Sequence, residues 1–156
     1  MKIRYRRIGD KSVVKPIEIL EGGDWIDLQT RIDVNLKKDE YAQIPLGIAM
    51  ELPSGFEAWV VLRSSTPRKW KLRIPNGKGI VDCLYRGDGD EWHAIVEAMN
   101  DTKIPAGTRI AQFRIFNNQF ATPWQKIKWM FTRKLEFVEV EVLGNINRGG
   151  IGSTGN

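Results

Sequence analysis

Apolar residues recur along the chain in short runs, at residues 44–52, 56–62, 92–99, 108–116 and 135–143, with glycine and proline punctuating the stretches between them. Several runs alternate apolar and polar positions. In Glu139-Val-Glu-Val142 both valines fall on one side of an extended chain, as a strand with one buried face requires. Pro53-Ser-Gly55 and Pro105-Ala-Gly107 read as tight turns, because proline presets φ and glycine admits positive φ. Regular short strands joined by such turns predict an all-β fold, a sandwich or barrel.

One segment departs from this period. Thr122-Pro-Trp-Gln-Lys-Ile-Lys-Trp-Met-Phe-Thr-Arg-Lys134 opens on a capping residue followed by proline at the first helical position. Trp124, Ile127, Lys128 and Phe131 then fall near one face at helical spacing, which predicts one short amphipathic helix over residues 122–134. That helix is expected to pack on its own domain through Trp124, Ile127 and Phe131. The alternative is a docking surface for a protein partner, since exposed Trp and Phe beside Lys are typical of interfaces. Residues 1–143 are expected to form a single domain. Residues 144–156, rich in Gly, Asn, Ser and Thr, read as a mobile C-terminal arm.

A chain of 156 residues can bury one core without metal or disulfide support. No apolar run approaches a membrane span, and Met1-Lys-Ile-Arg-Tyr-Arg-Arg-Ile-Gly-Asp-Lys11 lacks the apolar stretch of a signal peptide. Cys83 is the single cysteine and His93 the single histidine, which excludes a disulfide framework and argues against a thiolate or histidine zinc site. These features fit a reducing cytoplasm. The net charge of +5 would attract polyanions. Its cations are dispersed among acidic residues, however, which reads first as a solvated surface, and small phosphorylated ligands would suit the same charge.

Three stretches carry candidate chemistry. Arg63-Ser-Ser-Thr-Pro-Arg-Lys69 follows an apolar strand and can offer hydroxyl, backbone N–H and guanidinium groups to phosphate oxygens. Arg148-Gly-Gly-Ile-Gly-Ser-Thr-Gly155 can wrap phosphates in the same way, although it lacks the lysine and helix of a nucleoside-triphosphatase P-loop. Asn76-Gly-Lys-Gly-Ile-Val-Asp-Cys-Leu-Tyr85 reads as a β-hairpin whose exposed edge can pair with a flat pyrimidine. Asp82 could then act as a general base and Tyr85 stack on a sugar; alternatively, Asp82 is a turn residue and Tyr85 a core aromatic.

Taken in order, these stretches resemble the five motifs of the trimeric dUTPase family. Gly23-Asp-Trp-Ile-Asp-Leu28 resembles the first motif and Arg63-Ser-Ser65 the second. Gly79-Ile-Val-Asp-Cys-Leu-Tyr-Arg-Gly87 is similar to the core of the third, Gly107-Thr-Arg-Ile-Ala-Gln112 to the fourth, and residues 148–155 to the fifth. The resemblance implies a jelly-roll homotrimer with active sites at subunit boundaries and a C-terminal arm closing over each. The implied reaction takes dUTP and water to dUMP and pyrophosphate, with Mg2+ on the triphosphate.

By the same resemblance, Asp82 activates water, Tyr85 packs on the deoxyribose and excludes a 2′-hydroxyl, and Asn76 with the hairpin backbone at Gly79 reads uracil. Arg63, Ser64, Ser65 and Gln112 hold the phosphates, Arg148, Ser153 and Thr154 close over them, and Asp27 meets the magnesium through water. Uracil presents an N3–H donor between two carbonyls, whereas cytosine reverses that polarity at N3 and C4. A mismatched hairpin edge would leave buried polar groups unpaired at roughly 1–3 kcal/mol each.

Three departures from the family pattern matter. Ile151 stands where the family carries a Phe that stacks on uracil, which makes Trp92 the candidate aromatic lid. Glu97 occupies a strand position at which the related dCTP deaminases place a catalytic Glu, and Ser64 and Arg68 also map onto that deaminase pattern. The segment at 120–134 is an insertion relative to compact members. The alternatives are therefore a dCTP deaminase or bifunctional enzyme of the same fold, and a catalytically silent nucleotide- or nucleic-acid-binding regulator.

Overall fold

The computed structural model describes residues 1–131 and 134–149. The strands are β1 (Lys2–Arg7), β2 (Ile26–Gln29), β3 (Val34–Leu36), β4 (Tyr41–Pro45), β5 (Ile48–Glu51) and β6 (Phe56–Leu62). Helix α1 (Thr66–Trp70) follows, then β7 (Leu72–Arg73), β8 (Gly79–Asp82), β9 (His93–Ala98), β10 (Thr102–Ile104) and β11 (Arg109–Asn117). Helix α2 (Pro123–Phe131) and β12 (Glu136–Glu139) complete the order. The sheets run β12-β1-β5, β10-β3, β2-β11-β6-β8 and β4-β9-β7. Together they form the jelly-roll-like sandwich that the alternating runs predict. No helix among the described residues is long and apolar enough to cross a membrane.

Alternation along β6 decides which side faces inward. Phe56, Ala58 and Val60 are buried, while Glu57, Trp59 and Val61 lie outward. The same rule holds along β11 from Phe113 onward, but it fails at Ile110 and Ala111, which are both buried. There the pairing with β2 slips between Arg109 and Ala111, a β-bulge that turns an extra side chain inward. The centre of the core is aromatic. Phe113 meets Trp92 edge to face at 5.2 Å and Phe137 at 5.9 Å between ring centroids.

Two sequence expectations need correction. The turn expected after Arg63 contains α1, with Ser65 at its N-cap, Pro67 in its first turn and Lys71 closing it in a left-handed conformation. The final strand is shorter than residues 135–143, because its parallel ladder on β1 ends at Glu139 and the chain then turns away toward Asp88.

The inserted helix forms where expected, and Thr122 and Gln125 cap it reciprocally. The Thr122 N–H donates to Gln125 Oε1 at 2.8 Å, and the Gln125 N–H donates to Thr122 Oγ1 at 3.2 Å. Its inward face is not the one expected. Trp124 is 73% exposed and Phe131 77%, and Ile127 also lies open. The helix rests instead on Trp129, whose ring meets Phe56 at 5.3 Å, and on a bond from Gln125 Nε2 to the Ser54 carbonyl.

Phe113→Ala is expected to cost about 3–5 kcal/mol in denaturant unfolding, because it empties the centre of the core. Phe131→Ala should stay within about 0.5 kcal/mol, as expected of a side chain that touches little.

Candidate active site

Strand β8 forms one edge of its sheet. It pairs only with β6 among the described residues, from Gly79 opposite Val60 to Asp82 opposite Glu57. Its other row of backbone groups faces outward, the arrangement a hairpin needs to pair with a planar base. Beside this edge lies a cleft of about 410 Å³, within the range of small-ligand sites. Asn76, Gly79, Asp82, Tyr85 and Arg148 line it, together with Gln43, Trp92, His93 and Ile95.

Local turns set the reactive side chains. Asp82 closes the hairpin, its Oδ1 accepting the Leu84 N–H at 2.7 Å and its carbonyl accepting the Tyr85 N–H at 3.0 Å. Arg148 Nη1 approaches the same Oδ1 at 3.6 Å. The Tyr85 hydroxyl donates to the Glu91 carbonyl at 2.8 Å, which holds the ring against the cleft. Burial raises the pKa of that phenol, and the negative charges of Asp90 and Glu91 add to the effect, so it stays a neutral donor. Burial and then Asp82 likewise raise the Cys83 thiol, which keeps it protonated beside the carboxylate.

Arg63, Ser64, Ser65, Gln112 and Asp27 do not line this cleft; Arg63 and Gln112 instead meet at Asp27. The bulge in β11 organises them. Ile110 O accepts the Arg63 N–H at 3.0 Å and the Thr66 hydroxyl at 2.7 Å, fixing the start of α1 against β11. Ser65 makes no side-chain capping bond, so its hydroxyl is not spent on the helix. Gln112 pairs with Asp27 across the β11–β2 ladder. The two oxygens of Asp27 face different guanidinium groups, Oδ1 meeting Arg63 at 2.8 Å and Oδ2 meeting Arg109 at 3.2 Å.

Trp92 cannot act as a lid. It lines the cleft but is only 1% exposed, locked into the core against Phe113. Glu97, 7% exposed, accepts from Arg73 Nε at 3.0 Å and Nη2 at 2.8 Å and lies outside the cleft lining, as does Arg68. None of Ser64, Arg68 and Glu97, the residues of the deaminase pattern, lines this cleft. Ser153 and Thr154 lie outside the described residues.

Sequence marks Arg86-Gly-Asp88 as a turn and gives the loop at 87–91 no further role. Asp90 is buried and accepts the Gly87 N–H at 2.8 Å and the Arg148 N–H at 3.0 Å. Asp88 accepts the Leu143 N–H at 2.8 Å, and this bond leads the causes that lower its pKa, followed by the bond from Gly144 and the charge of Arg6. The alternation of Gly and Asp in Gly87-Asp-Gly-Asp90 was the available signal. Read alone, it suggests only a turn.

A dUTPase family model matches residues 25–145. The chain is 46% identical to the SPbeta prophage-derived deoxyuridine 5'-triphosphate nucleotidohydrolase YosS of Bacillus subtilis, over 99% of this chain and 97% of that protein. Among solved structures, the dUTPase of Streptococcus mutans superposes with a TM-score of 0.66 at 19% identity, covering 76% of this chain and 98% of the other. A mutant dUTPase from phage phi11 of S. aureus, whose structure concerns coordination of a structural Mg(II) ion, superposes with a TM-score of 0.66 at 18% identity, covering 78% and 92%.

Thr66→Val is expected to lower unfolding stability by about 1 kcal/mol, by removing the buried hydroxyl that ties α1 to Ile110. Chemical denaturation reads the change.

Proposed function

The chain belongs to the dUTPase family and hydrolyses dUTP to dUMP and pyrophosphate; we propose that the reaction runs in the cleft beside β8, with Asp82 as the general base. The convergence of Asn76, Gly79, Asp82 and Tyr85 on one cleft at a sheet edge carries this reading. The outward row of β8 offers fixed backbone polarity to uracil, and Asn76 stands at the hairpin mouth. Tyr85, held by Glu91, packs on the deoxyribose and leaves no room for a 2′-hydroxyl.

Asp82 takes a proton from water as the water oxygen attacks the anhydride between the α and β phosphorus atoms. A new P–O bond forms, the bridging P–O bond breaks, and pyrophosphate leaves with the bonding electrons. The loose, charge-spreading transition state needs positioned water and cations more than covalent chemistry. Arg63, Ser64, Ser65 and Gln112 hold the phosphate chain, and Arg148, Ser153 and Thr154 of the arm close over it.

Mg2+ fits this arrangement as a partner of the substrate. No group of three or more His, Cys, Asp or Glu able to cage a metal occurs among the described residues, and Mg2+ commonly binds through phosphates, waters and few carboxylates. Both oxygens of Asp27 already face guanidinium groups, so Asp27 would meet the ion through water. When bound, the ion neutralises charge on the triphosphate.

A homotrimer with sites at its subunit boundaries is the assembly this reading takes. It is supported by the absence of Arg63, Ser64, Ser65 and Gln112 from the lining of the Asp82 cleft, since a neighbouring copy could bring them there. A cytoplasmic location suits the reaction, and nucleic acid has no role in this reading.

Pyrophosphate release should be seen with dUTP and not with dCTP or dTTP, and no ammonia should come from dCTP. Asp82→Asn is expected to lower kcat by about 10²–10⁴-fold with KM little changed. Ammonia release, or equal turnover of dCTP, would overturn the substrate assignment.

A further inference from the structure

We infer that Arg31, which does not line the cleft, is a positioning residue for sugar discrimination. Its ion pair with Glu91 fixes the carbonyl that holds the Tyr85 ring. The inference rests on the assignment of Tyr85 to the deoxyribose.

One carbonyl oxygen holds two rings that line the cleft. The Tyr85 hydroxyl donates to Glu91 O at 2.8 Å, and His93 Nδ1 lies 2.8 Å from the same atom. A carbonyl oxygen can only accept, so Nδ1 carries the proton, and both lone pairs of Glu91 O are engaged. Glu91 stands outside β9, so the sheet ladder does not hold it. What holds Glu91 therefore sets where the Tyr85 ring lies.

Glu91 is fixed through both its main chain and its side chain. A trans peptide points its C=O and N–H to opposite sides. The Trp92 N–H donates to Ile48 O at 2.8 Å, so the Glu91 carbonyl of the same peptide is turned the other way, to Tyr85 and His93. Three donors converge on the Glu91 carboxylate, in a residue only 8% exposed. Arg31 Nε donates to Oε1 at 2.9 Å, Arg31 Nη2 to Oε2 at 3.1 Å, and the Gly47 N–H to Oε1 at 2.9 Å. Two-point pairing of a guanidinium with a carboxylate fixes orientation as well as distance.

Arg31 is itself built into the fold. Its N–H donates to the Pro45 carbonyl at 2.9 Å. Its side chain crosses Gly9, where an added Cβ would lie 2.7 Å from Arg31 Cδ. Gly9 also has a φ of 84°, so both the turn and the passage of the arginine call for glycine there. Without the guanidinium, the buried Glu91 carboxylate would keep only the Gly47 N–H among these three donors, at the wall of a cleft that takes a triphosphate. A buried charge so stripped of its partner is strongly unfavourable, and it would move toward water and take its carbonyl with it.

Discrimination between dUTP and UTP reads this path, because a displaced Tyr85 ring opens room for a 2′-hydroxyl. Arg31→Met is expected to lower the ratio of kcat/KM for dUTP to that for UTP by about tenfold or more. Tyr85→Phe, which removes only the hydroxyl, should lower it by a similar factor. The double variant should lose no more than Tyr85→Phe alone, since both changes break one path. Thermal unfolding recorded alongside separates position from stability. A lower Tm with an unchanged ratio would make Arg31 a purely structural residue and overturn the inference, and so would additive losses in the double variant. If Arg31→Met does not fold, Arg31→Lys takes its place, because it keeps the charge but cannot pair at two points; an unchanged ratio there overturns the inference equally. Tyr85→Ala tests the underlying assignment. An unchanged ratio in that variant would sink the sugar reading of Tyr85 and the inference with it. A lowered ratio there, with none in the Arg31 variant, would remove the role of Arg31 alone.

Discussion

Strand β6 is the member on which the working parts depend. It pairs with β11 along one side and β8 along the other, so two candidate site elements take their position from its register. Its C-terminal end delivers Arg63 to the Ile110 carbonyl, and its outer edge holds the hairpin that carries Asp82. The strand in turn is held by its alternation, with Phe56, Ala58 and Val60 facing the core. A slip of one residue would turn those three outward and move Asp82 and Arg63 to the wrong places together.

The second organising force is the partnering of carboxylates. Asp27 lies between two arginines, Glu97 is held by Arg73, and Glu91 is paired with Arg31. Asp88 and Asp90 accept backbone N–H groups of the arm. Each of these carboxylates is thereby given a local task, and among the described residues only Asp82 lines the cleft with its side chain beside the Arg148 guanidinium. The excess positive charge is left at the surface, where a triphosphate can use it.

The inserted helix shows how a correct local reading can mislead about packing. Its capping residues and proline define where it starts, and it starts there. Helical periodicity marked Trp124, Ile127 and Phe131 as one face but could not say whether that face had a surface to meet. The available surface lies at Phe56 and Ser54, and Trp129 and Gln125 reach it instead.

Sequence by itself determined the all-β class, the turns at 53–55 and 105–107, the capped start of α2, and the hairpin with Asp82 and Tyr85, because each depends on neighbours within a few residues. The five-motif order, though assembled from distant segments, was legible for the same reason: each motif is a short local string. Tertiary structure decided everything that depends on distant meetings. It buried Trp92 against Phe113 and removed it as a lid, tied Glu97 to Arg73 outside the cleft lining, and left the candidate phosphate-binding residues Arg63, Ser64, Ser65 and Gln112 out of the cleft that Asp82 lines. It also turned Gly87-Asp-Gly-Asp90 into the seat of the arm. Carboxylates and glycines spaced in that way read only as a turn until residues 143–149, more than fifty residues later, lie against them.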